Sequence, residues 1–195
     1  MILNDTQIHT LAIESNMIEH FIPTTREVNR ISYGLTSFGY DMRLGSKFQM
    51  QYRPISVVDA KIDPKHTDNW DNIFTPFHTD MPFYIPPQTF ILGVSVEKFN
   101  LPDDVWGMVV GKSTYARCGI FVNTTPMEPS WSGYLTIELY NALHYPVKVY
   151  PSEGIAQVSF FRGEPPTVNY RTKNGKYQNQ PSQPVKPAIK RQEQQ

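Results

Sequence analysis

Hydrophobic positions along this chain alternate far more often than they recur at helical spacing. Phe90, Leu92, Val94 and Val96 occupy every second position, the period of a half-buried strand. Val105–Val110, Leu135–Leu139 and Ile155–Phe161 predict further strands. In the second of these, Leu135, Ile137 and Leu139 share one face and Thr136, Glu138 and Tyr140 the other. That split turns Glu138 away from the apolar side. Between Ile31 and Tyr52, Gly34, Gly39 and Gly45 punctuate short aromatic-rich strands. One helix is expected near the start, where Asn4 or Asp5 can cap it and Ile8, Leu11 and Ala12 fall on one face. Residues 54–82 are rich in Pro, Asp and His with weak periodicity and predict a long excursion. From Gln178 the chain reads QNQPSQPVKPAIKRQEQQ, low in apolar content, and residues 181–195 are expected to be a disordered tail. The pattern predicts one mainly β domain over residues 1–180 with few helical turns.

Composition narrows the setting. A chain of 195 residues can bury a sizeable single core. Its 18 basic and 18 acidic residues cancel, so no global field favours nucleic acid or an anionic membrane. Seventeen prolines and eleven glycines, against 39% hydrophobic residues, favour many strands and turns over long helices. No apolar run approaches the roughly 18 residues that a membrane span needs. The N-terminus lacks the basic start and apolar block of a signal peptide. The single cysteine, Cys118, excludes an intrachain disulfide and fits a reducing cytosol, so a soluble cytoplasmic protein is expected.

The densest chemistry lies in GKSTYARCGIFVNTTPMEPSWSGYLTIELYN, residues 111–141. Lys112, Ser113, Thr114 and Arg117 crowd cationic and hydroxyl donors suited to phosphate oxygens into one turn. Glu138, alone in an apolar strand, offers an acid/base group whose pKa burial would raise. Together they suggest an enzyme acting on a phosphorylated small molecule, although a capped turn and a solvent-facing glutamate would use the same residue types. Gly111-Lys112-Ser113-Thr114 resembles the end of a nucleotide-binding P-loop, but the motif's first glycine would fall at position 106, which is Trp. A zinc deaminase needs a Pro-Cys-x-x-Cys, which one cysteine cannot supply. The five histidines, His9, His20, His66, His78 and His144, show no ligand spacing, so no protein-bound metal is expected.

Longer stretches resemble the dCTP deaminases of the trimeric dUTPase-like superfamily. They are ISYGLTSFGYDMRLG at 31–45, GKSTYARCGIFVNTTPMEP at 111–129, WSGYLTIELYN at 131–141, EGIAQVSFF at 153–161, and Tyr170 through GKYQNQ at 175–180. The resemblance implies a distorted jelly-roll β-barrel assembled as a homotrimer, with active sites where subunits meet. It implies zinc-independent deamination of dCTP to dUTP and ammonia, or a bifunctional variant that goes on to dUMP and diphosphate. A non-enzymic nucleotide-binding regulator is a third reading. The arm motif of a plain dUTPase is missing, since RTKNGKYQNQ stands in that region.

The same resemblance assigns roles. Glu138 is the implied catalytic acid/base, with Ser113 and Arg117 beside it. The turn Lys112, Ser113, Thr114, Tyr115, Ala116 and Arg117 corresponds to the phosphate-binding turn, and Thr136, Ile137 and Glu138 to the lining of base and sugar. Gln157, Tyr170, Lys176 and Gln180 fall on nucleotide contacts. Residues from about 165 to 180 would form a lid, with Gly175 as a hinge. The loop at Thr124 and Thr125 would help place the water, and Glu128 stands where some relatives carry Asp near the sugar. Magnesium would enter with the triphosphate, and dTTP is an implied feedback inhibitor.

Overall fold

The computed structural model describes residues 1–24, 28–51 and 61–189. The expected helix is α1 (Asp5–Glu14), and Asn4 is its cap. The Asn4 side chain accepts from the Gln7 N–H at 3.0 Å, while the Gln7 side chain accepts from the Asn4 N–H at 3.1 Å, a reciprocal box that satisfies two backbone donors. Ile8 and Ala12 are buried beneath it. The chain continues through β1 (Ile18–Glu19), β2 (Gly34–Thr36), β3 (Gly39–Arg43), β4 (Lys47–Gln51), α2 (Trp70–Ile73), β5 (Phe74–His78) and β6 (Phe83–Ile85). It then forms β7 (Phe90–Asn100), β8 (Val105–Gly111), α3 (Ser113–Arg117), β9 (Ile120–Asn123), β10 (Ser132–Asn141), β11 (Val147–Val149) and β12 (Gly154–Arg162). The alternating runs noted in the sequence are β7, β8, β10 and β12.

The expected excursion is more regular than its composition suggested. Its residues 54–60 lie outside the described residues, but α2 and β5 form within the remainder. Pro76 sits inside β5, which is tolerated because β5 is an edge strand and needs no N–H donor on its open side.

The strands form two antiparallel sheets that face one another across the core, with a small β11–β6 pair alongside. One sheet runs β5-β4-β7-β10-β9 with β1 added on β7; the other runs β2-β3-β12-β8. Tyr40, Met42 and Leu44 of the β3 region, Ile91 and Phe99 of β7, Ile137 and Leu139 of β10, and Val158 and Phe160 of β12 fill the space between them. The architecture is mainly β, as the alternation predicted. Among the described residues, no helix is long and apolar enough to cross a membrane.

The two sheets are joined where β3 passes towards β4. The Gly45 N–H donates to Val94 O at 2.7 Å, and a Cβ at Gly45 would stand 2.8 Å from that oxygen, so the approach requires glycine. Beside it lies Glu97, fully buried on β7. Its Oε1 accepts from Arg43 Nε at 2.7 Å and from the Tyr40 hydroxyl at 3.2 Å, and its Oε2 accepts from the Arg43 N–H at 2.9 Å. Arg43 also reaches His20 O at 2.8 Å, tying in the segment after α1. Burial pushes the Glu97 carboxyl above the usual carboxylate range, and the guanidinium opposes that push.

Because a buried pair is costly to break but dispensable when both halves leave, Glu97→Ala should lower stability by about 3–5 kcal/mol in urea denaturation. Replacing Arg43 with Met and Glu97 with Leu together should recover only part of that loss, because the Tyr40 hydroxyl and the Arg43 N–H remain without their acceptor.

Candidate functional site

Glu138 lies in a straight row across four strands. Gln49 of β4 pairs with Leu92 of β7, Leu92 with Glu138 of β10, and Glu138 with Asn123 of β9. The period-2 split of β10 holds through this row: Ile137 and Leu139 are fully buried in the core, and Glu138 faces the other side. One place breaks the period. Tyr134 pairs with Lys98 and Thr136 with Val94, so three residues of β7 oppose the single Leu135. As a result the adjacent side chains of Leu135 and Thr136 both line the cavity that Glu138 lines.

That cavity has a volume of about 810 Å³. Trp70, Phe90, Leu92, Trp106 and Trp131 supply apolar walls, while Glu128, Glu138, Lys176 and Gln180 supply polar groups. Burial pushes the Glu138 carboxyl up to about 7, and its Oε2 is buried without a hydrogen-bond partner. Gln180 Oε1 on the same cavity is likewise buried and unpaired, as is Thr124 Oγ1 next to the cavity-lining Thr125. Buried polar atoms are normally satisfied, so these atoms mark places for water or for polar groups of a ligand. A carboxyl held near neutrality can take and return a proton at physiological pH, the property a general acid/base needs.

The C-terminal segment closes one side of the cavity. Tyr170, Lys176 and Gln180 all line it. The segment is held by Tyr170 N–H to Pro129 O at 3.1 Å, Trp131 Nε1 to Tyr177 O at 2.8 Å, and Tyr134 N–H to Gln180 O at 3.1 Å. A Cβ at Gly175 would stand 2.1 Å from the Tyr170 ring, so this glycine is required by packing. Glu128 also lines the cavity and pairs with Lys173.

The expected disordered tail instead continues along the same face through residue 189, and residues 190–195 lie outside the described residues. The Val185 N–H donates to Thr136 Oγ1 at 3.3 Å, Gln49 Nε2 to Pro184 O at 3.3 Å, and the Ala188 N–H to the Tyr177 hydroxyl at 3.1 Å. Low apolar content did not prevent this placement, because the side chains of Gln49 on β4, Thr136 on β10 and Tyr177 satisfy its backbone.

The other half of the expected site lies elsewhere on the protomer. None of Lys112, Ser113, Thr114, Tyr115, Ala116 or Arg117 lines the Glu138 cavity. Ser113, Thr114, Ala116 and Arg117 are exposed on α3, and Arg117 donates to Ser113 Oγ at 3.3 Å. Three of the expected residues have side chains engaged within the chain itself. Tyr115 is buried with its hydroxyl accepting from the Tyr150 N–H at 3.1 Å, and Ile137 is buried in the core, so only their backbones could meet a ligand. Gln157 donates to Thr36 Oγ1 and Asp41 Oδ1, both at 3.2 Å, and Asp41 also holds Lys112 in an ion pair; this network braces the base of α3. Asp41, Gln49 and Trp70 were missed in the sequence. Trp70 donates to Gln49 Oε1 at 2.8 Å, but it belongs to a stretch without periodicity, and Gln49 is an ordinary strand residue.

Gly175→Ala should drive the Tyr170 ring out of its seat and loosen the segment after residue 165. Limited proteolysis should then cut that segment faster while thermal denaturation of the barrel shifts little.

Comparison with known proteins bears on this geometry. The sequence model of the dCTP deaminase-like family matches residues 2–163. The dCTP deaminase of Roseiflexus castenholzii is 47% identical over 180 residues, covering 92% of this chain and 95% of its own. That of Pelagibacter ubique is 42% identical over 180 residues, again 92% of this chain and 95% of its own. The solved 2'-deoxycytidine 5'-triphosphate deaminase from Agrobacterium tumefaciens matches with a TM-score of 0.62 at 19% identity, over 83% of this chain. The match takes in 48% of that protein, so this chain spans about half its length, and at such identity the likeness speaks for the fold alone. The strand bearing Glu138 and the turn at α3 both fall inside the matched residues, and the relatives match along nearly the whole chain; the chain belongs to the dCTP deaminase-like family.

Proposed function

We propose that this protein deaminates dCTP to dUTP and ammonia in the cytoplasm, without zinc. The reading is carried by Glu138, half-buried, raised to about 7 and unpaired at Oε2 beside an 810 Å³ cavity, in a chain whose relatives are named dCTP deaminases. Water adds at C4 of the cytosine, and Glu138 takes its proton and passes it to N3. A second proton from the added oxygen accompanies the departing amino group, so dCTP and water give dUTP and ammonia. Positioned proton transfer of this kind is worth ~10²–10⁴ in rate. Thr124 Oγ1 is a second buried polar atom available to the attacking water. Thr136 would meet the base or sugar, and Tyr170, Lys176 and Gln180 the phosphates, with closure of the segment excluding water. Magnesium arrives with the triphosphate as part of the substrate, because few-carboxylate sites hold Mg²⁺ mainly through phosphate oxygens. The inhibitor dTTP would enter the same cavity.

The separation of α3 from the cavity favours a homotrimer in which Ser113 and Arg117 of one copy complete the Glu138 cavity of another. Met108 and Val110 on β8 and Phe121 on β9 leave apolar side chains exposed on the strands flanking α3, a surface suited to burial between copies. A guanidinium brought beside Glu138 would stabilise its carboxylate, and Ser113 would bind substrate or water.

Incubation with dCTP and magnesium should release ammonia and dUTP. Direct formation of dUMP with diphosphate would establish the bifunctional course, and binding without ammonia release would sink the enzymatic reading. Glu138→Gln should lower kcat by ~10³-fold or more while retaining nucleotide affinity. Co-expressing Glu138→Gln with Arg117→Ala should restore activity at about a quarter of the sites in randomly mixed closed rings. Absence of any recovery from two inactive variants would refute the shared site.

A further inference from the structure

The skip in pairing between β7 and β10 needs something to hold it. Three β7 residues, Ser95, Val96 and Glu97, oppose Leu135 alone, so the regular ladder is interrupted just before Thr136 and Glu138. The Leu135 N–H donates to Ser95 Oγ at 2.9 Å, and Ser95 Oγ donates to Glu97 O at 2.6 Å. One hydroxyl thus accepts a proton from β10 and gives one to β7, closing the skip from both sides. Ser95 is 2% exposed, so no water competes for either bond. On its other side Ser95 bridges to Leu44, beside the buried Glu97–Arg43 pair.

We infer that Ser95 is a positioning residue for Glu138, fixing the irregular stretch of β10 from which Thr136 and Glu138 reach the cavity. It touches no substrate. Its influence runs through the Leu135 N–H, three residues before Glu138, and through the pairing that sets Glu138 opposite Leu92. Side-chain size alone does not explain the choice, because alanine or cysteine would fill the space without supplying both bonds at full strength. A shift of about 1 Å in a catalytic group can cost ~10²-fold in rate, so a modest slackening here reaches the chemistry.

The role rests on the proposed deamination for its kinetic test, but not for its physical one. In the kinetic test, Ser95→Ala should lower kcat for dCTP by ~10–100-fold with KM nearly unchanged. Ser95→Thr, which restores a hydroxyl, should recover most of kcat. If Ser95→Ala does not fold, Ser95→Cys, similar in size but weakly hydrogen-bonding, should show the same loss in smaller measure. The physical test is a carbon-13 NMR titration of the Glu138 carboxyl in the wild type and the folded variant. Glu128, Tyr170, Lys176 and Tyr177 share the cavity with that carboxyl, and their chemistry is unaltered by the substitution. Slackening should admit water and move the Glu138 midpoint downward. A wild type that releases no ammonia would remove the proposed reaction while leaving this titration decisive. An unchanged midpoint, or a folded Ser95→Ala enzyme with wild-type kcat, would overturn the positioning role.

Discussion

A carboxylate buried without access to water must be paired, and Glu97 meets that demand in a way that organises the molecule. It sits on β7 of one sheet and is held by Arg43 and Tyr40 of β3 in the other. Arg43 extends the tie to His20, and the Tyr40 hydroxyl accepts from the Ile22 N–H at 3.1 Å. Breaking the contacts at Glu97 would strand a polar group in the core, so the two sheets share one fixed arrangement, and the segment after α1 is tied to it through Arg43 and Tyr40. The glycine approach at Gly45 and the skip between β7 and β10 both lie beside this pair. The irregular β10 therefore rests on a junction that has little freedom to relax.

Burial raises Glu138 as well, but where Arg43 opposes that push at Glu97, desolvation dominates at Glu138 and its carboxyl rises to about 7. A junction carboxylate paired with a guanidinium and a cavity carboxylate with an unpaired oxygen thus stand on neighbouring strands. The apolar walls from Trp70, Phe90 and Leu92 maintain the second condition, and the C-terminal segment closes over it. Burying an unpaired group lowers stability, and such local costs are characteristic of functional sites.

The arrangement of α3 gives a second division of labour. Its donors face outward on the same protomer that keeps Glu138 in a separate cavity, while Lys112 and Gln157 are drawn into the Asp41 network beneath it. The two groups of expected site residues thus lie apart on this chain, and exposed apolar side chains of β8 and β9 flank α3.

Alternation in the sequence determined the long strands, the face on which Glu138 lies, and the capped first helix, because side-chain period is a local property of strands and helices. Extended family motifs singled out Tyr170, Lys176 and Gln180, which line the cavity. Tertiary structure decided what depends on residues distant in the chain. It paired a proline-bearing stretch as an edge strand, since only the sheet shows which side lacks a neighbour. It ordered Val185 and Pro184 against Thr136 and Gln49, since a polar tail is stabilised by partners rather than by its own composition. It seated Tyr115 in the core and kept α3 away from Glu138. Period and motif say which residue types occur together in a chain, but only the packed fold determines which side chains share a cavity.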